Sequence, residues 1–216
     1  MGADHEKQLA ACAGADLVKP GMRVGLGTGS TVAYLLAELA RRRVAATYVA
    51  TSPHTARAAG ALGIVVEPLD VFDRLDLAID GADQVSADGW LIKGGGGAHT
   101  REKIVAASAD CFVVIVDTTK LVSTLSAPVP LELVAFGFAA TLDHIGSTVL
   151  RDAPASPDGG VIADYFGSVA DPSALAARLS SVPGVIEHGL FPPSLVSEVI
   201  VGRGDNIHRV TIGGIE

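Results

Sequence analysis

The chain has 216 residues, 49% hydrophobic and 19% charged, with mean hydropathy +0.41, which supplies one large or two modest cores and excludes a disordered chain. A formal net charge of −8 without a Lys/Arg stripe argues against nucleic-acid binding, and no apolar run approaches the roughly 20 residues of a membrane span. The opening lacks a secretory leader's charged and apolar regions, and Cys12 and Cys111 lie in apolar stretches as buried thiols of a reducing compartment, so the expected location is cytoplasmic.

Taken in chain order, an N-terminal helix carrying Lys7 precedes short β-branched runs that alternate with Ala/Leu-rich amphipathic segments. That alternation predicts a parallel sheet with helical crossovers. Strands are predicted at residues 22–26, 47–51, 64–68, 75–79 and 111–116, and helices at 31–40 and 55–62, the latter ended by Gly63. "WLIK" reads as a further short strand running into four consecutive glycines. Arg41, Arg42 and Arg43, the densest basic cluster, fall at a predicted helix end, where cations complement the dipole, and read as a solvated terminus. The six histidines show no paired ligand spacing, so no metal is expected.

After Ser126 the pattern changes to strand, helix, strand, strand, helix, strand, the split βαβ order of ferredoxin-like domains. "RDAPASPDGG" between the middle strands has the composition of an exposed turn. The last segments, "SEVIVG" and "HRVTI", are short strands suited to return to the first sheet.

In open α/β sheets ligands bind outside the carboxyl ends of the strands, so the polar residues that follow each apolar run carry the functional signal. Those residues are Gly27, Thr28, Gly29, Ser30 and Thr31; Thr51 and Ser52; Asp80 and Asp83; Lys93 with its glycines; and Asp117, Thr118, Thr119 and Lys120. "GLGTGST" offers close backbone approach and a helix start to a phosphate. It is not a Walker A loop, and it fails G-x-G-x-x-G because Ser30 or Val32 occupies the last place. The next strand ends without a ribose-binding acid, which favours phosphate over a dinucleotide. A glycine-rich turn with an N-cap serine explains the same loop equally well.

Other features are ambiguous singly. Asp80 and Asp83 in "DGAD" suit metal binding, proton transfer or a plain Asp-Gly turn. Glu102, in the first turn of a helix starting near Thr100, is by itself a surface acid facing the dipole. Three carboxylates, one lysine and two glycine loops at one rim describe an acid/base site for a phosphorylated, hydroxyl-rich substrate.

With "GTGST" at 27–31, "DGAD" at 80–83, "KGGGGAHTREKIV" at 93–105 and "DTTK" at 117–120 in that order, the chain resembles the A-type ribose-5-phosphate isomerases over nearly its whole length. The resemblance implies an α/β fold: a Rossmann-like parallel-sheet domain over residues 1–126 plus 196–216, and a smaller ferredoxin-like α+β domain over 127–195. It implies interconversion of D-ribose 5-phosphate and D-ribulose 5-phosphate, no metal or organic cofactor, a small-molecule sugar phosphate as partner, and a homodimer or dimer of dimers. Glu102 would be the general base between C1 and C2, Asp80 would open the furanose ring, Asp83 would line the pocket, and Lys93 would support the intermediate's negative charge. Thr28, Gly29, Ser30, Thr31, Gly81, Ala82, Gly94, Gly95, Gly96 and Lys120 would contact the sugar phosphate, with Lys7 a further phosphate ligand. Independently, moving a carbon-bound proton beside a carbonyl needs a carboxylate base, with a cation or amide donors for the enediolate.

Three positions depart from the family pattern. Gln84 stands after D-G-A-D where glutamate is usual, His99 replaces a leucine before T-R-E-K, and "TSPHT" replaces a serine-rich stretch. His99 is either a second proton carrier or a tolerated change at a helix start. A sugar-phosphate sensor is the non-enzymatic alternative, but no DNA-binding helical module fits before Met22. A related isomerase or deaminase of phosphorylated sugars would change the carboxylate set, whereas Asp80, Asp83, Lys93 and Glu102 are all present, which favours the pentose.

Overall fold

The computed structural model describes residues 2–212. Its elements run α1 (Ala3–Ala15), β1 (Arg23–Leu26), α2 (Ser30–Arg42), β2 (Thr47–Ala50), α3 (Pro53–Ala61), β3 (Leu77–Asp80), β4 (Gln84–Ser86), β5 (Leu91–Ile92), α4 (His99–Ala107), β6 (Phe112–Asp117) and β7 (Leu121–Val122). They continue with β8 (Val129–Leu133), α5 (Phe138–Ile145), β9 (Thr148–Leu150), β10 (Val161–Tyr165), α6 (Pro172–Ser180), β11 (Val185–His188), β12 (Leu190–Phe191), β13 (Glu198–Arg203) and β14 (Asn206–Thr211). Two compact units result. One holds the described residues of Met1–Ala82, Arg101–Leu121 and Pro193–Glu216; the other holds Asp83–Thr100 and Val122–Pro192.

The first unit is built on a six-stranded sheet of order β14-β13-β6-β3-β1-β2. Every pairing from β2 to β13 is parallel, and only the β13–β14 hairpin is antiparallel. A parallel strand covered on both faces reads as a continuous apolar run, and β6, FVVIVD, is buried at all six positions. Helix α2 buries Val32, Leu35, Leu36 and Leu39, the recurrence that puts one apolar stripe on the core, and ends with Arg43 in the left-handed region at φ 52°. Helix α1 approaches the sheet through small residues: a Cβ added to Gly14 would stand 3.0 Å from Ile115. The predicted return of the C-terminal strands to this sheet is what the chain does.

Two expectations change here. Residues 64–68 form no strand: Val66 makes a single bridge to Tyr48, and Glu67 N donates once to Tyr48 O at 2.8 Å. Val65 is 71% exposed and Pro68 has no N–H, so neither burial nor a donor extends the ladder. The arginine cluster is also more than a solvated helix end. Arg42 donates to Glu38 at 2.6 Å, to Asp16 at 2.5 Å and to the Cys12 carbonyl at 3.3 Å, tying α2 to α1.

The second unit carries the antiparallel sheet β11-β8-β10-β9 with the connectivity β-α-β-β-α-β read from the sequence. Alternation sends Val129, Leu131 and Leu133 of β8 and Ala163 and Tyr165 of β10 to one face, where Ile145, Leu175 and Leu179 of α5 and α6 cover them. Short strands β12, β5, β4 and β7 form a third sheet in that order. The segment 151–160 is not simply an exposed turn, since the Arg151 side chain is only 20% exposed and Ser156 is buried. Among the described residues no helix is long and apolar enough to cross a membrane, and no group of three or more His, Cys, Asp or Glu is placed to hold a metal.

Three carboxylates of the first unit sit well below their ordinary range. Glu6 is lowered from 4.5 to about 2 by the Gly204 amide and then by the hydroxyl and amide of Thr118. Glu38 is lowered from 4.5 to about 2 by Arg41 and Arg42, and Asp76 from 3.8 to about 2 by the Arg23 fork. A depressed folded-state value contributes stability that is present above the ordinary value and is lost as pH falls through the depressed one. The thermal unfolding midpoint is therefore expected to drop between pH 4.5 and about 2, and Glu6→Gln, which has no proton to gain, to flatten that drop. A midpoint independent of pH across this window in the parent protein would overturn the assignment.

Candidate active site

The chain enters the sheet at β1, steps outward to β2, then returns to place β3 on the other side of β1. Neighbouring strands whose crossovers leave in opposite directions open a crevice at their carboxyl ends. Gly27 follows β1 and Asp80 ends β3, so both stand at that point. Asp80 is 3% exposed, and its Oδ1 accepts from Thr28 N at 3.0 Å and Gly81 N at 2.7 Å. A Cβ at position 27 would lie 1.8 Å from that oxygen, so only glycine leaves it room. Glu102, 4% exposed in the first turn of α4, lines the same small interior space as Asp80, with Gly25, Gly27 and Thr51.

Around this pair the loop after β1 is braced by hydroxyls. Thr28 Oγ1 lies 2.9 Å from Thr51 Oγ1, 2.8 Å from Ser52 Oγ and 3.1 Å from Thr55 Oγ1, and Thr55 Oγ1 donates to Gly27 O at 2.8 Å. The Thr28 side chain thus belongs to the scaffold, and its amide to Asp80. Gly29, at φ 132°, is the N-cap of α2 and has no side chain to cap it, so the helix presents its first N–H groups beside the exposed Ser30.

At the end of β6, residues Thr118–Lys120 make a single 3-10 turn, started by Asp117 Oδ1 accepting from Thr119 N at 2.9 Å. Glu6 of α1 holds this turn, accepting from Thr118 N at 3.0 Å and Thr118 Oγ1 at 2.6 Å, and from Gly204 N at 2.8 Å in the β13–β14 hairpin. The two lysine candidates for phosphate contact in this unit, Lys7 and Lys120, are therefore on segments joined by one carboxylate. Lys7 also reaches Asp4 at 3.3 Å.

The second unit holds Asp83, Lys93 and the glycine loop. Lys93 is 2% exposed; its backbone N donates to Gly189 O at 2.9 Å, and its Nζ stands 5.6 Å from the Phe191 ring centre, within cation–π range. The four glycines have different reasons. Gly94, at φ 106°, lies so close to the buried His99 that a Cβ would stand 2.7 Å from Nδ1, and Gly97 turns at φ 70°. Gly95 N donates to Asp83 Oδ2 at 2.8 Å, which orients that exposed carboxylate, and Gly96 is exposed. His99 is fully buried at the start of α4.

Gln84 turns its departure from the family pattern to use. Its amide donates to Ser126 O at 2.8 Å and accepts from Ser126 N at 2.9 Å, a two-way clasp that a glutamate cannot make because it has no donor. Sequence reasoning missed Glu6, Thr55, Glu132 and Arg151. Glu132 is buried on β8 and accepts from the hydroxyls of Thr100 and Ser156. A glutamate at an apolar strand position was the available signal for it; the others carry no local signal.

Residues 47–206 match the family model described as ribose 5-phosphate isomerase A (phosphoriboisomerase A). A ribose-5-phosphate isomerase A of Methanosarcina acetivorans is 44% identical over 220 residues, covering 95% of this chain and 93% of that one. Among solved structures, ribose 5 phosphate isomerase A from Neisseria gonorrhoeae superposes with TM-score 0.93 at 30% identity over 97% of each chain. A D-ribose-5-phosphate isomerase in complex with phospho-erythronic acid superposes with TM-score 0.91 at 34% identity, covering 98% of this chain and 100% of that one.

The close approach at position 27 gives a direct test of the Asp80 site. Gly27→Ala is expected to destabilise the protein by about 1–3 kcal/mol, the usual range for overpacking, read as a lower urea midpoint. An unchanged midpoint would show that Asp80 yields its place without resistance.

Proposed function

The chain belongs to the ribose 5-phosphate isomerase A family, and from that premise we infer that it interconverts D-ribose 5-phosphate and D-ribulose 5-phosphate by proton transfer through an enediolate. The observation that carries this reading is the pair of buried carboxylates, Asp80 and Glu102, brought to one small interior space at the carboxyl end of β3, beside the loop that starts α2.

In the open-chain aldose, Glu102 removes the proton from C2, the electrons move into a C1–C2 double bond, and the carbonyl oxygen at C1 gains the charge. Passage of the C2 hydroxyl proton to the C1 oxygen, with return of the carbon-bound proton to C1, gives the ketose. Electrons stay within the substrate, so the reaction needs base, acid and charge stabilisation rather than an electron acceptor. Asp80, oriented by two backbone amides, moves the hydroxyl proton that opens the ring. Lys93 supports the enediolate charge, Asp83 orders the sugar hydroxyls, and Gly81 and Ala82 supply backbone at the substrate. Gly29, Ser30 and Thr31 at the α2 start, with Lys120 and Lys7, take the phosphate, and Gly94, Gly95 and Gly96 contact the sugar phosphate through their backbone, Gly96 with its exposed amide. The phosphate's binding energy holds C1 and C2 against the base.

The structural relative's ligand supports this chemistry. A planar carboxylate on a phosphorylated polyol has the shape and charge of an enediolate, as phospho-erythronic acid does in that complex. The same reading includes a cytoplasmic homodimer or dimer of dimers. Cys12 and Cys111 as free thiols support the first part. Phe136, 92% exposed, and Val149, 58% exposed, are apolar surface of the kind that subunit contacts cover.

Purified protein mixed with ribose 5-phosphate in excess EDTA is expected to form ketose. Glu102→Gln is expected to lower kcat by roughly 10²–10⁴-fold, the usual worth of a general base, while calorimetric binding of ribose 5-phosphate is largely kept. Turnover retained in that variant would reject Glu102 as the base, and a parent protein without turnover would reject the isomerase reading.

A further inference from the structure

Arg151 follows β9, 56 residues beyond the glycines. Its Nη1 donates to Gly94 O at 3.0 Å and to Gly95 O at 3.1 Å. The other edge of the guanidinium is held by Asp164 on β10, with Nε on Oδ2 at 2.9 Å and Nη2 on Oδ1. The two side chains are only 20% and 15% exposed. A planar fork gripped along one edge has no freedom left at its remaining nitrogen, which distinguishes this arrangement from a lysine reaching the same carbonyls.

The consequence for the loop follows from peptide geometry. Gly94 O and Gly95 N belong to one peptide unit, whose carbonyl is held by Arg151 and by Gly97 N at 3.0 Å while its N–H is held by Asp83 at 2.8 Å. That unit cannot rotate. Gly95 O belongs to the next peptide unit, and in a trans peptide the N–H points opposite to the carbonyl. Fixing Gly95 O on Arg151 therefore aims Gly96 N–H away from the guanidinium, and Gly96 is exposed. Four consecutive glycines would otherwise sample many orientations of these amides.

We propose that Arg151, locked by Asp164, is a positioning residue that holds the Gly94–Gly97 loop in the one orientation that offers the Gly96 amide to the reacting sugar. The proposal rests on the isomerase reading only for where that amide is used; the clamp itself is a property of the second unit. Preorganised donors act on developing charge without reorganising in the reaction, so loosening them lowers kcat more than it raises KM for the phosphorylated substrate.

Arg151→Ala is expected to lower kcat roughly 10- to 100-fold, the cost of about 1 Å of misplacement, with KM for ribose 5-phosphate changed far less. Added guanidinium ion should restore part of kcat, sodium chloride at equal ionic strength should not, and Arg151→Lys should behave like the alanine variant. Hydrogen–deuterium exchange should show protection lost in the peptide spanning 94–97. If Arg151→Ala does not fold, Asp164→Asn, which keeps the guanidinium but loosens its grip, should give the same pattern at smaller amplitude. Wild-type kcat per folded enzyme in these variants, or a loss that guanidinium leaves untouched, would overturn the proposal. Should the parent protein lack turnover, the isomerase reading fails, and unchanged exchange in the 94–97 peptide would then reject the clamp independently.

Discussion

The first unit depends on one carboxylate oxygen. Asp80 Oδ1 accepts two backbone N–H groups, Thr28 N after β1 and Gly81 N after β3, and so joins the ends of two adjacent parallel strands. Parallel strands pair along their length but leave their carboxyl ends unclosed, and this oxygen closes them. The closure demands a bare Cα at position 27, and it fixes which way the loop into α2 runs. Thr55 reinforces it by donating to Gly27 O, and the hydroxyls of Thr28, Thr51 and Ser52 fill the space beneath. The geometry of these strand ends, beside which Glu102 packs, is thus set by hydrogen bonds to main chain.

The second unit solves a similar problem in reverse. In the first, a side chain is fixed by backbone amides; in the second, backbone amides are fixed by the side chains of Arg151 and Asp83. The glycine run is required for close approach at Gly94 and for positive φ at Gly94 and Gly97, and the resulting flexibility is removed again by those two residues. A glycine loop by itself is a poor binding element because ordering it opposes binding. A glycine loop clamped at consecutive peptide units holds its remaining exposed amide, at Gly96, in one direction.

What was legible in the sequence follows from which interactions are local. Strand ends are marked by the change from β-branched runs to polar residues, so Asp80, Lys93, Asp117 and the residues from Gly27 to Thr31 could be found without knowing any contact. The ferredoxin-like order after Ser126 was legible for the same reason. Glu6, Glu132 and Arg151 were not, because each acts on main chain or hydroxyls far away in sequence: Glu6 reaches Thr118 across 112 residues and Gly204 across 198. The failed strand at 64–68 shows the opposite error, in which local β-propensity in Ile64, Val65 and Val66 gave only a single bridge, from Val66 to Tyr48 on the edge strand β2, before Pro68 ended the run. Gln84 looked like a lost charge, yet its partner Ser126 needs a donor and an acceptor at once.

An acidic chain that takes a phosphorylated substrate must keep its own carboxylates from repelling it, and the hydrogen bonds show how. Asp80 spends one oxygen on two amides, Glu6 receives three donors, Asp83 takes Gly95 N, and Asp164 is neutralised by Arg151. Each negative charge is turned toward a donor of its own unit, so the net −8 is a property of the whole surface rather than of these loops. The arrangement also ranks the carboxylates by task. Those saturated with donors, such as Glu6, hold backbone in place. Glu102, buried in the first turn of α4, lines the same small interior space as Asp80 but stands on a helix rather than at a strand end.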